Sequence, residues 1–290
     1  MRAGSRSRTS DWVAALRALY SEVPDELRLA RDDVAVSLLS PGLAALVRGL
    51  TVRPGVARAA HRLIGATTLG LSYGVPLRTI AIDEAIVRSV TEGTRQLVLL
   101  GAGLDARAFR MPELAGVTVF EVDHPSTQAF KRERTRGLVP LAERVVSAAI
   151  DFERDRLGEV LPNAGFDRAK PSVWVWEGVT MYLSQDAIDA TLDSLEALAA
   201  PGSRLAVTYL KRGFGGVATR RLGEVGATLI GEHLRTQQSP DELSARLVAR
   251  DFVVEADESA LDWATRWPAD DARRVREYER LAVARRRPLA

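Results

Sequence analysis

The chain has 290 residues, 46% of them hydrophobic, with 40 Lys+Arg against 38 Asp+Glu for a formal charge of +2. That length holds one large α/β domain with helical additions, and the near-balance of charge excludes an overall field drawing nucleic acid or an acidic membrane to the whole surface. The absence of cysteine excludes disulfides, thiolate nucleophiles and cysteine-based zinc sites, and fits a reducing cytoplasm.

The three histidines, His61, His124 and His233, lie too far apart for a local metal pattern, so no metal is expected. The basic start, Met1 to Arg8, is followed by Asp11, Arg17, Glu22 and Asp25 rather than by the apolar core of a signal peptide. No apolar run approaches the roughly 18 residues that span a bilayer. The expectation is a soluble, cytoplasmic protein with no nucleic-acid or membrane partner.

Residues 10–92 read as helical, with Trp12, Val13, Leu16 and Leu19 at helical spacing and Pro24, Pro41, Pro54 and Pro76 dividing the segment into short helices. Asp83 to Val90 reads as the last helix before a sheet. We take residues 1–92 as a helical cap belonging to the same domain as an α/β part over 93–290.

From Leu97 onward, apolar runs of strand length alternate with helical stretches, the pattern of βαβ units and a mainly parallel sheet. The predicted strands are 96–100, 117–122, 144–149, 172–177, 203–209, 252–256 and 281–285. Between the fourth and fifth, Ser184 suits an N-cap, Ile188, Leu192 and Leu195 form one apolar face, and Pro201-Gly202 stops the helix. Lys211-Arg212-Gly213-Phe214-Gly215-Gly216 opens a segment over 211–250 that reads as a mobile cover or an ordinary surface loop, with Pro240-Asp241-Glu242-Leu243 beginning another helix.

Parallel sheets bind ligands beyond the carboxyl ends of their strands. The first strand runs into the turn Gly101-Ala102-Gly103, and the second ends in Asp123 and His124. A first glycine permits a tight turn, a second removes a Cβ where backbone meets ligand, and the acid suits ribose hydroxyls. Gly101-x-Gly103-x-x-Ala106 also satisfies the dinucleotide fingerprint, so this pattern alone admits either a nicotinamide cofactor or S-adenosylmethionine.

S-adenosylmethionine asks for a ribose carboxylate, a polar group and an apolar face for adenine, and a cation for its own carboxylate. Asp123 suits the ribose, and Asp151 and Phe152 suit the adenine edge and face. Glu177 follows the apolar run Val173 to Trp176 and needs a partner, either the cationic side of the ligand or a structural arginine. Arg78 could supply the cation for the methionine carboxylate.

Leu99 to Arg110 with its Gly101-Ala102-Gly103 turn, Phe120 to Pro125, Asp151-Phe152 and Trp176-Glu177-Gly178-Val179-Thr180-Met181-Tyr182-Leu183 together resemble the leucine carboxyl methyltransferase family. Arg78-Thr79 followed by Asp83-Glu84, and Gly231-Glu232 through Leu243, resemble further motifs of that family, so the resemblance covers about residues 10–285. It implies a class I methyltransferase, Rossmann-like fold: a seven-stranded sheet, mostly parallel with one antiparallel strand, plus an N-terminal helical cap and a helical lid insertion. It implies S-adenosyl-L-methionine as cofactor and S-adenosyl-L-homocysteine as product. Carried over by position, Arg78, Gly101, Asp123, Asp151, Phe152 and Glu177 become cofactor-binding residues, with Ala102, Gly103 and His124 beside them. The closest flavour is bacterial and belongs to secondary metabolism. Ala106 departs from the family's usual threonine, and Arg31-Asp32-Asp33-Val34-Ala35 lacks its usual proline.

Methyl transfer from a sulfonium demands alignment and desolvation. A carboxylate acceptor is already ionised and needs no general base, whereas a phenol or alcohol calls for one. No histidine except His124 sits near a predicted strand end, which favours carboxyl O-methylation of a small molecule or peptide, with His233 or a carboxylate of the lid as the alternative base. Arg17, Tyr20, Tyr182, Arg212 and Arg235 are candidate acceptor contacts. A non-catalytic cofactor-binding protein on the same fold and a nicotinamide-dependent oxidoreductase are the competing readings.

Overall fold

The structure is a computed structural model that describes residues 8–22, 30–68, 71–152, 154–213, 234–267, 275 and 277–288. Five helices come first: α1 (Arg8–Glu22), α2 (Ala35–Leu38), α3 (Pro41–Thr51), α4 (Pro54–Thr67) and α5 (Leu71–Thr91). Then follow β1 (Gln96–Leu100), α6 (Arg107–Arg110), β2 (Thr118–Asp123), α7 (Pro125–Arg134), β3 (Arg144–Ala149), α8 (Leu157–Asn163) and β4 (Val173–Trp176). The remainder is α9 (Gln185–Leu198), β5 (Arg204–Leu210), α10 (Pro240–Val248), β6 (Phe252–Ser259), α11 (Ala260–Arg266) and β7 (Glu279–Arg286).

The seven strands form one sheet in the order β3-β2-β1-β4-β5-β7-β6, with β7 antiparallel to both of its neighbours. All seven predicted strands are present, with ends displaced by a few residues where twist and packing decide fraying. The central strands are apolar on both faces because both faces are covered. Val98, Leu100, Trp174 and Trp176 point into a core shared with Ile188, Leu192 and Leu195 of α9. Their alternates Leu97, Leu99, Val173 and Val175 point into a second core with Ile82 and Ile86 of α5 and Trp263 of α11.

Helix α9 begins as expected, with the Ser184 side chain accepting from the Ala187 N–H at 3.2 Å. The last cap helix is longer than the segment 83–90 predicts, because Pro76 lies inside α5 instead of ending it. Tyr73, Leu77, Ile82 and Ile86 are all buried along that helix, and this packing outweighs the one hydrogen bond that proline removes.

A third core joins Ala14 and Ala18 of α1, Leu38 and Val47 to Leu104 and Ala106, just beyond the glycine turn. The cap is therefore seated on the carboxyl ends of β1 and its neighbours. Among the described residues no helix is long and apolar enough to cross a membrane.

Candidate active site

Gly101 and Gly103 adopt φ of 68° and 47°, the left-handed region that favours glycine. A Cβ on Gly101 would lie 2.3 Å from Val179 Cγ2, and one on Gly103 would lie 3.2 Å from Ser10 Cβ. Both missing side chains thus make room for the protein's own chain, the loop after β4 and helix α1, which close onto the turn. The Gly101 and Ala102 N–H groups donate to the Val122 carbonyl at 2.8 and 3.0 Å, tying the turn to β2.

Asp123, at the end of β2, folds its carboxylate over that turn. The Gly103 N–H donates to Oδ2 at 2.5 Å, and the His124 N–H donates to Oδ1 at 2.6 Å. Burial raises the Asp123 pKa above the usual aspartate value, and these two N–H donors only partly offset it. Each oxygen retains acceptor capacity for a ribose hydroxyl. His124 caps α7, its Nδ1 lying 2.7 Å from Ser126 Oγ.

Asp151 and Phe152 follow β3, at the same edge of the sheet. The Asp151 side chain is 37% exposed with Arg154 Nε at 3.8 Å. Phe152 is half-buried against the first core.

Glu177, just past β4, is held by two buried arginines. Arg78 approaches its Oε1 through Nε at 3.0 Å and Nη2 at 2.7 Å, and Arg107 Nη1 lies 2.8 Å from Oε2. Burial alone would raise the Glu177 pKa, but Arg78 and Arg107 outweigh it and hold the group far below the usual glutamate range. Of the two partners open to Glu177, the structure supplies arginine. Arg78 also donates through Nη1 to both oxygens of Glu279 at 2.7 Å, so it already neutralises two carboxylates.

These contacts belong to a larger buried network. Arg107 bonds Asp83 at 2.7 Å and also Asp105, whose carboxylate is lowered chiefly by Arg107 and Arg17 against the opposing effect of burial. Arg110 bonds Asp83 at 2.7 Å and reaches Asp32 at 3.6 Å, and Arg17 Nε lies 3.2 Å from Asp32. Asp105, Arg107 and Arg110 lie inside the motif that follows the glycine turn, and the presence of several ionisable residues in a buried turn was a usable signal for them. Glu279 carried none, because only the antiparallel placement of β7 beside β5 brings it to Arg78.

The five candidate acceptor contacts separate in space. Arg17 is buried at the cap end of the network and donates to the Leu104 carbonyl at 2.5 Å. Tyr20 is buried with its hydroxyl 3.2 Å from Ser72 Oγ. Tyr182 is half-buried in the turn after Glu177. The Tyr278 phenol, raised by burial and by Glu279, also feels Arg78, Tyr182 and Tyr20, which places these groups around the Arg78 end of the site. Arg212 is instead 60% exposed and paired with Glu242 of α10 at 2.8 Å, and Arg235 is exposed, its backbone N–H bonding the Met181 carbonyl at 2.7 Å. His233, Phe214, Gly215, Gly216 and Gly231-Glu232 lie outside the described residues, as does half of the predicted lid, residues 214–233 of 211–250.

An open cleft of about 690 Å³ lies at the β6–β7 edge, lined by Asp257, Glu258, Asp262, Arg266 and Arg280 among others. It contains none of the predicted cofactor residues, and the Arg280 and Arg266 side chains in it are paired with Asp257 and Glu258. Among the described residues no cluster of His, Cys, Asp or Glu could hold a metal ion.

The donor set at the strand ends fits S-adenosylmethionine. Asp123 offers a carboxylate with acceptor capacity beside a glycine turn, Phe152 a half-buried ring and Asp151 an accessible polar group, whereas Arg78 is engaged by Glu177 and Glu279. A Rossmann-type crevice at the carboxyl ends of β1, β2 and β3 is where such ligands are held.

Comparison with known proteins leads to the same cofactor. The profile of the leucine carboxyl methyltransferase family matches residues 11–196. A relative from Mycolicibacterium smegmatis named "Putative S-adenosyl-L-methionine-dependent methyltransferase" is 38% identical over 233 residues, 76% of this chain and 74% of that one. A similarly named relative from Frankia alni is 36% identical over 221 residues, 76% of this chain and 73% of that one. In fold, the chain is similar to a crystal structure from Thermobifida fusca titled "putative methyltransferase" (TM-score 0.58, 18% identity, 98% of this chain and 97% of that one). It is also similar to a duf574 family protein from Streptomyces avermitilis (TM-score 0.61, 14% identity, 94% and 97%). The chain belongs to the leucine carboxyl methyltransferase family and is an S-adenosylmethionine-dependent methyltransferase.

Proposed function

We propose that the enzyme O-methylates a carboxylate of a small-molecule or peptide natural product, with Arg78, Gly101, Ala102, Gly103, Asp123, His124, Asp151, Phe152 and Glu177 forming the cofactor side of the site. The observation that carries this reading is the state of the strand-end acids. Glu177 and Asp105 are held ionised by Arg78 and Arg107, which makes them weak bases, poorly suited to taking a proton from a phenol or alcohol. An acceptor that is already a carboxylate needs only orientation, and no proton has to leave it.

S-adenosylmethionine, when bound, supplies the electrophilic methyl group. The protein's part is to bind, orient and exclude water. Asp123 accepts from the ribose hydroxyls, Asp151 and Phe152 hold adenine, and the cap seated on Leu104 and Ala106 screens the turn from solvent. Tyr20 and Tyr182 face the acceptor side in this reading.

The test is incubation with S-adenosylmethionine and a panel of carboxylic acids matched to phenols of the same skeleton. The expected product is a methyl ester that releases methanol in mild alkali. An alkali-stable ether formed only from the phenols would reject the carboxylate reading and select the hydroxyl one.

A further inference from the structure

Strand β5 is buried from Arg204 to Tyr209, and Thr208 within it is fully enclosed. A hydroxyl in a sheet core needs a hydrogen-bond partner. The ladder between β4 and β5 ends at the pair Trp176–Val207, so the chain leaves the sheet at Glu177, and Thr208 is the next residue on the strand it has left. Thr208 meets the departing chain twice. Its hydroxyl oxygen accepts from the Gly178 N–H at 2.8 Å, and its carbonyl accepts from the Thr180 hydroxyl at 2.7 Å.

Gly178 has φ of 69°, and a Cβ on it would lie 3.9 Å from Arg78 Nη2, so the clasped turn passes over the guanidinium that holds Glu177. The next residue, Val179, is the one that stands against Gly101 of the glycine turn. Thr208 therefore fixes the one backbone position that lies between the acid and the glycine turn's cover. The rest of this turn has a separate anchor. The Arg235 and Thr236 N–H groups donate to the Met181 carbonyl at 2.7 and 3.2 Å, and the buried Thr236 hydroxyl donates to the Leu183 carbonyl at 2.7 Å. Thr236 thus holds the part of the turn beyond Val179.

We propose that Thr208 is a positioning residue for the cofactor: through Gly178 its hydroxyl sets the placement of Glu177 against Arg78 and Arg107 and of Val179 against Gly101. The proposal rests on the assignment of Glu177 and Gly101 to the cofactor side of the site. A site held in its binding geometry before the ligand arrives avoids paying the ordering cost on binding, whereas a site that must be re-ordered loses affinity. The Glu177 carboxylate is already fixed at its far end by two arginines, so a shift of the Gly178 backbone is passed on towards Val179 and Gly101. A purely structural hydroxyl would behave differently. Its loss would lower stability and leave the affinity of the folded molecules unchanged.

The experiment is titration calorimetry of the full chain with S-adenosyl-L-homocysteine, at a temperature where thermal melts show every variant folded. Thr208→Val keeps the side-chain shape and removes the acceptor, and the Kd should rise by about five- to tenfold. Thr208→Ser restores the hydroxyl and should return the Kd to within about twofold of the parent, and Thr236→Val, which removes one buried hydrogen bond from the same turn, should stay within the same range. Should Thr208→Val not fold, Thr180→Val removes the other clasp and carries the same expectation, with Thr180→Ser as its rescue. An unchanged Kd in Thr208→Val overturns the proposal, as does failure of Thr208→Ser to restore it. Equal weakening in Thr236→Val also overturns it, since the effect would then be a general loosening of the turn. Glu177→Gln is titrated alongside. If it weakens binding while Thr208→Val does not, the role of Thr208 alone falls; unchanged affinity in Glu177→Gln overturns the cofactor assignment of Glu177, and the proposal with it.

Discussion

The helical cap uses arginine in two opposite ways. On its inner side Arg17 and Arg78, with Arg107 beneath them, are buried and, together with the partly buried Arg110, meet Asp32, Asp83, Asp105, Glu177 and Glu279 at close range. On its outer side Arg48, Arg53, Arg58 and Arg62 are exposed on α3, α4 and the connection between them, a stretch that contains no acid. A buried guanidinium is tolerable only with carboxylates around it, so the inner set is a matter of folding and site geometry. The outer set is exposed, so it costs little to keep and little to remove. Overall charge balance hides this division.

Substitutions should separate the two regions by the size of their effect. Arg107→Ala leaves Asp105 and Glu177 without their shared cation, a loss of about 3–5 kcal/mol. For a chain of this size that is a fall in Tm of roughly 10 °C, measurable by thermal denaturation. A shift of less than a degree or two would remove the buried network from the stability account.

Gly101→Ala comes next. It places a side chain at positive φ against Val179, and left-handed strain alone is about 1–3 kcal/mol. Calorimetry should show cofactor binding falling with stability, because the turn and the Glu177 loop must both shift.

Asp123→Ala should spare most of the stability and weaken S-adenosylmethionine binding, each lost charge-assisted hydrogen bond being worth about 1.5–3 kcal/mol. Calorimetry reads this directly, and an unchanged Kd refutes the ribose assignment.

A pH series sharpens the inner side further. Glu177 has a lowered pKa in the folded state, so its contribution is present above about pH 4.3, the usual glutamate value, and is lost as pH falls through the folded value. The Tm gap between the protein and Glu177→Gln should therefore be constant from neutral pH down to that point and narrow below it. A gap that widens on acidification contradicts the arginine-held state.

The smallest effect is expected outside. Arg62→Glu should change stability by no more than about 0.5 kcal/mol, read as a small shift in Tm. A large fall in Tm would mean that the outer arginines are structural as well.

Much of the fold was legible because strand patterning is local: runs such as Leu97–Leu100 and Val173–Trp176 announce themselves in a few residues. The glycine turn, Asp123 and the Ser184 cap follow from the same short-range rules. Less legible was whatever depends on tertiary burial. Pro76 looked like a helix boundary because its penalty is local, whereas the packing that overrides it is distributed over the face of α5. Glu177 was placed at the right strand end, but its partners lie on α5 and α6, and no spacing rule links residues 99 positions apart. The outward placing of Val56 and Leu63 on α4 was hidden for a related reason, since helical periodicity marks an apolar face without saying whether it turns inward.

The ion pair between Arg78 and Glu279 spans 201 positions of chain. Contacts of that separation carry a large loop-closure cost and form after local structure has condensed. The nucleotide crevice of β1, β2 and β3 can therefore take shape before Arg78 is fully neutralised, and docking of β7 is the step that completes its charge environment. Refolding followed by two probes, tryptophan fluorescence for the sheet core and recovery of cofactor binding for the finished site, should show binding lagging behind the core.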